Sequence, residues 1–132
     1  MPEPDEPIHP ALRKLLAETS PARTELPPPP ERFAGGSTEM ALAQCRAAWQ
    51  QAFDACMKKC ARKMSRWSAE QDSAVEAAAA YRAAMPQLVG FDGIRDFVAC
   101  VAYGALINAI PPERTGQLLY AAQVALTLLP RA

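Results

Sequence analysis

The sequence predicts an all-α protein: a long amphipathic helix followed by an apolar αα-hairpin, behind a disordered Pro-rich N-terminal arm. Three observations carry this. Alanine is abundant while aromatics make up only 7% of the chain, a composition that favours helix over strand. Nine of the 13 prolines fall within residues 1–30, whereas residues 37–85 hold neither proline nor glycine. Past residue 85 the punctuation returns as Pro86, Gly90 and the pair Pro111-Pro112, the pattern of short helices joined by tight turns.

The arm spans residues 1–36 and includes the run Pro27–Pro30, followed by Gly35 and Gly36. Such a stretch reads as flexible or polyproline-II chain with no regular core. A helical island at 10–18 interrupts it. Leu12, Leu15 and Leu16 lie at i, i+3 and i+4 behind Pro10 at a helix-start position. The island is too short to stand alone in water: it is a transient helix unless a partner groove or the chain's own domain folds it.

The helical domain is expected over 37–132, with helices at about 38–85, 93–110 and 112–129. Ser37 or Thr38 is the expected cap of the first helix, with Glu39 near the positive end of its dipole. At 100° per residue one face gathers Leu42, Cys45, Trp49, Phe53, Cys56, Cys60, Met64, Trp67, Ala74, Ala78, Tyr81 and Met85. This is one helix, or two with a break near Ser65–Ser68. Unbroken, it would extend about 70 Å, longer than a compact domain of this size is wide, so it must project or be covered by a second copy in coiled-coil or bundle fashion. Asp92 is the expected N-cap of the second helix, and Pro111 the stop before the third.

The second and third helices are apolar nearly all round. Ile94, Phe97, Val98, Val101, Leu106, Ile107 and Ile110 crowd one, and Leu118, Leu119, Val124, Leu126, Leu128 and Leu129 the other. A helix that is apolar on every side is buried on every side, and one arm of the same chain cannot cover both. Ala99, Cys100 and Gly104 offer a small-residue patch for close helix approach. The surplus predicts a homo-oligomer, such as a dimer, or a dedicated protein partner. The expected interface residues are Trp49, Phe53, Trp67, Phe97, Val101, Leu106, Leu119 and Val124, with the aromatic rings as buried anchors.

Charge is balanced, 14 basic against 14 acidic residues, which argues against a surface built wholly for nucleic acid or anionic lipid. A local basic face remains. Lys58, Lys59, Arg62, Lys63 and Arg66 form a cluster able to follow a phosphate backbone, with no Asn or Gln inside it to read base edges. A nucleic-acid-associated protein or regulator is therefore the alternative reading. The two helices around Pro111-Pro112 have only a superficial helix-turn-helix look, since the later one turns largely apolar after Gln117.

Cys56 and Cys60 lie one turn apart on one face. Cys45 is about 16 Å from Cys56 along the helix, too far to share one ion. A metal site would need Cys56, Cys60 and further ligands from Cys100 or from another chain, and a structural role as small apolar side chains is the plainer reading. Accordingly no metal, no cofactor and no small-molecule substrate is expected. His9, the single histidine, lies in the arm, so the folded part lacks the commonest general base. No phosphate-binding glycine loop or nucleophile elbow occurs, and the chain is expected not to be an enzyme. The N-terminus lacks the basic and apolar regions of a secretory signal, which points to a cytoplasmic protein with reduced thiols. The longest charge-free runs, 97–112 and 115–130, fall short of the about 20 residues a spanning helix needs.

Three segments, Tyr81-Arg-Ala-Ala-Met-Pro-Gln-Leu, Ile94-Arg-Asp-Phe-Val-Ala-Cys-Val and Leu118-Leu-Tyr-Ala-Ala-Gln-Val-Ala-Leu, together resemble a small helical domain of uncharacterised bacterial proteins. The resemblance covers about the last fifty residues and implies a helical fold without implying an activity. The Pro- and Ala-rich composition similarly suggests a bacterium of high genomic GC content.

Overall fold

The structure, a computed structural model, describes residues 25–130. Four α-helices make up the body: α1 (Gly36–Cys60), α2 (Arg66–Ala84), α3 (Gly90–Leu106) and α4 (Pro112–Thr127). A single 3-10 turn, Glu31–Phe33, precedes them, and no strand occurs among the described residues. The helical island at 10–18 lies outside the described residues. The later part of the expected arm lies on the helical body: Leu26 and Phe33 pack against the core, and the Tyr103 hydroxyl donates to the Pro27 carbonyl.

The long helix expected over 38–85 is broken. α1 ends at Cys60, residues 61–64 form a turn, and Ser65 caps α2 by accepting from the Ser68 amide at 3.2 Å. Serine at an N-cap satisfies an amide that helix geometry leaves without a partner. The fold-back lets α1 and α2 cover one another, which a straight rod cannot do. Their contact is the most extensive between any two helices.

The two helices mesh large against small. α1 buries Leu42, Cys45, Trp49 and Phe53, with the Trp49 and Phe53 rings stacked at 4.9 Å between centroids. α2 buries Ala69, Ser73, Ala77 and Tyr81. Bulky side chains on one helix and small ones on its neighbour give close packing without voids. The turn also resets the helical phase. Trp67, which a continuous helix places on the apolar stripe, is 69% exposed, and Ala69, Ser73 and Ala77 take the inner row instead.

The ends of the other helices differ from expectation for local reasons. Glycine at 35 and 36 takes positive φ, so α1 begins two residues early, and the Glu39 carboxylate accepts from the Gly35 amide at 3.1 Å. Ser37 and Thr38 are thereby released from capping. α3 starts at Gly90 with Val89 at its N-cap, so Asp92 sits in the first turn, 3.5 Å from Arg95, and does not cap the helix. At its far end Asn108 adopts φ 62°, and the Ala109 and Asn108 amides return to the Gly104 and Ala105 carbonyls. This is a left-handed helix terminator, and it closes α3 four residues short of the expected 110.

α3 packs on α1 and α4, and Tyr81 ties it to α2. The Tyr81 hydroxyl donates to the Cys100 carbonyl at 2.6 Å, and its ring lies 6.4 Å from that of Tyr103. The small-residue patch is used here, within one chain. A Cβ on Gly104 would stand 2.8 Å from Tyr81 Cε1 and 2.8 Å from Ile110 Cδ1. Arg82 holds the following linker by donating to the Ala109 carbonyl at 2.6 Å.

Gly104→Ala is expected to lower stability despite alanine's better helix propensity. The intrinsic gain is about 1 kcal/mol, whereas overpacking a filled core costs about 1–3 kcal/mol. A chemical-denaturation series should show a lower midpoint at an unchanged slope. A midpoint at or above that of the parent would mean the ring has room to move.

Candidate functional site

Part of the exposed apolar surface lies on α4, and more lies at Trp67, Val75, Phe91 and Leu106 of the other helices. α3 buries Ile94, Ala99, Cys100, Val101, Tyr103 and Gly104, so its apolar girth is largely covered by its own chain. α4 contacts α3 and buries Ala122 alone. Leu118, Ala125 and Leu129, on the same side as Ala122, are half-buried. Away from that side Leu119 and Val124 are each 39% exposed, Leu126 45% and Tyr120 69%.

One flank of α4 borders an apolar groove of about 380 Å³. Phe91, Ile94, Val98 and Ala99 of α3 form one wall, Leu126 of α4 the other, and Arg32, Phe33, Thr38 and Arg95 the end. Phe91 is 62% exposed and Val98 38%, so the wall continues the open face of α4.

A polar network closes the floor of the groove. Asp96 is 6% exposed, and its carboxylate accepts from the Thr38 hydroxyl at 2.5 Å and lies 3.4 Å from Arg95 Nε. Arg95 also donates to Ser37 Oγ at 2.9 Å. Burial pushes the Asp96 carboxyl up, but the hydroxyls of Thr38 and Ser37 and the Arg95 guanidinium outweigh it and hold the group below its ordinary value. The network joins the first turn of α1 to α3 beside the groove, which Thr38 and Arg95 line.

The expected interface residues separate into two groups. Trp49, Phe53 and Val101 lie in the interior of the chain's own core, and Phe97 packs partly against that core. Burial within the subunit removes the first three from any outer surface. Trp67, Leu106, Leu119 and Val124 are exposed, the first two at 69% and 63%. Sequence reasoning missed Phe33, Phe91 and Leu126 as lining residues. A second helix expected from 93 leaves Phe91 outside it, whereas the Gly90-Phe91 pair opens α3.

The basic residues gather around the α1–α2 turn. Lys58, Lys59, Arg62, Lys63 and Arg66 are all exposed. Because the helix breaks at 61–64, they crown a hairpin tip and do not run along one continuous helix. Arg66 is paired with Glu70 at 3.0 Å.

The cysteines form two pairs. Cys45 and Cys100, fully buried, meet at 3.8 Å between α1 and α3, and that contact together with burial pushes the Cys100 thiol up. Cys56 and Cys60, partly exposed, also lie 3.8 Å apart. Cys100 is held beside Cys45, about 16 Å along α1 from Cys56, so the set of Cys56, Cys60 and Cys100 does not converge on one ion. No group of three or more metal-ligating His, Cys, Asp or Glu side chains occurs among the described residues. No helix among them is long and apolar enough to cross a membrane.

Loss of the network should be visible as pH dependence. The unfolded chain takes up a proton at the ordinary value of 3.8 that the folded Asp96 resists. The stabilisation is therefore complete above that value and is lost as pH falls through the lower folded one. Asp96→Asn is expected to cost about 1–3 kcal/mol at neutral pH and to flatten this part of the acid limb of the melting curve. An unchanged acid limb in the variant would assign it to other carboxylates. Comparison with protein-family models, curated proteins and solved structures finds no match for this chain.

Proposed function

We propose that this chain is a non-enzymatic assembly module that pairs with a second copy of itself through α4 and the adjoining groove. The observation that supports this reading is the one-sided cover of α4, with Leu119, Tyr120, Val124 and Leu126 open to water while only Ala122 is fully buried. Residues 115–130 carry no charged side chain. A self-complementary pairing about a two-fold axis would bring two such strips together without desolvating a charge. A partner chosen by ionic contacts would find nothing on α4 beyond Glu113 and Arg114 to select it. We also place the module in a cytoplasmic, reducing setting, in keeping with its four unbridged cysteines. Kinship with the small helical domain of bacterial proteins stays part of the proposal and rests on the three segments quoted above.

Light scattering should give twice the 14.3 kDa chain mass at micromolar concentration. Leu119→Glu combined with Leu126→Glu should return the single-chain mass with helical content unchanged. A parent protein of single-chain mass at tens of micromolar overturns the proposal.

A second reading, nucleic-acid association, is favoured by one observation: five exposed cations concentrated at one hairpin tip. The expected signature is binding to DNA or RNA at low salt that weakens steeply as salt rises, with a slope reduced by Lys58→Gln and Lys59→Gln. Absence of binding at low salt removes this reading.

A further inference from the structure

We propose that Cys56 and Cys60 form a two-thiolate site for a single soft monovalent metal ion, of which Cu(I) is the biological example. The two residues occupy adjacent turns at the C-terminal end of α1, with their sulfurs 3.8 Å apart. A metal–thiolate bond is about 2.3 Å, so two such bonds span up to about 4.6 Å end to end, and both sulfurs already lie within reach of a common point. Helix spacing produces this: side chains four apart stack on one face, one turn above the other.

Three further features separate this pair from the other. Both thiols are partly open to solvent, whereas Cys45 and Cys100 are each fully buried. A cavity of about 530 Å³ opens beside the site, lined by Ala52, Ala55, Cys56, Lys59 and Glu76, and gives an ion an approach. Lys59 lines that cavity with Cys56 and supplies one positive charge near the sulfurs, with Glu76 in the same cavity and Asp72 near Cys60 as the acidic groups around it.

Ligand number then selects the ion. Structural zinc takes four ligands, and no third His, Cys, Asp or Glu joins the pair among the described residues. A soft ion satisfied by two sulfurs fits what is present, and thiolate donors favour it. Each metal–sulfur bond replaces an S–H bond, so up to two protons pass to solvent and no electron is transferred. The reduced thiols this requires are those of all four cysteines here.

The test is anaerobic titration of the reduced full chain with Cu(I) against a chromophoric copper chelator, read by absorbance. One ion per chain is expected. Cys56→Ser and Cys60→Ser should each weaken binding at least tenfold, with melting curves close to the parent because both side chains lie at the surface. Cys45→Ser should leave stoichiometry unchanged; should it fail to fold, iodoacetamide protection of Cys56 and Cys60 by bound Cu(I), mapped by mass spectrometry, replaces it. The proposal fails if the chelator retains all the copper. It fails equally if the Cys56→Ser, Cys60→Ser double variant still binds, if half an ion binds per chain, or if zinc competes on equal terms.

Discussion

The Tyr81 ring is where the fold is locked. It projects from the last turns of α2 into the space that Gly104 leaves on α3, and its hydroxyl reaches the Cys100 carbonyl one turn earlier. With Ile110 closing on the same glycine from the linker, three chain segments meet at a position that has no room for a methyl group. Interiors are packed as densely as organic crystals, so such a contact fixes the approach of two helices instead of merely tolerating it. α3 is held against the α1–α2 hairpin at this point, and the position of α4 follows from that of α3.

The hairpin itself answers a problem of coverage. A continuous helix over 38–85 would carry its apolar stripe along one side with nothing in the chain long enough to hide it. Folding back at 61–64 turns the stripe on itself, with Trp49 and Phe53 set against the Ala- and Ser-lined side of α2. The same turn brings together basic side chains from the end of one helix and the start of the next. Among the described residues the hairpin tip thus gathers the most basic side chains, and the cysteine pair stands beside it.

At the opposite end, the first turn of α1 is tied to α3 through Thr38 and Asp96. A buried carboxylate is stable there only because hydroxyls and a guanidinium satisfy it. Thr38 and Arg95 of this tie also line the groove that Leu126 borders. Stability and the proposed docking surface share this network. Among the described residues α4, beyond the groove, packs mainly on α3, and in the proposed pairing its outer leucines and valine are what a second copy would bury.

Composition, proline placement and helical periodicity by themselves determined that this is an all-helical chain. They located the third connection at Pro111-Pro112 and named Leu42, Cys45, Trp49 and Phe53 as one apolar row. They also raised the expectation of more apolar surface than one chain hides, because hydrophobic content is a local property while its cover is a tertiary one. Tertiary structure decided which helix keeps the surplus. Once the chain folds back at Ser65, phase and coverage change together: Trp67 turns outward, Ala69 and Ser73 turn inward, and α3 buries more of its side chains than α4 while Phe91, Val98 and Leu106 stay exposed. It also decided the roles of Thr38 and Asp96, since a contact between residues 58 apart leaves no trace in local pattern. Pairing of Cys45 with Cys100, and of Cys56 with Cys60, divides the same way. The second follows from helix spacing, and the first from where two helices happen to meet.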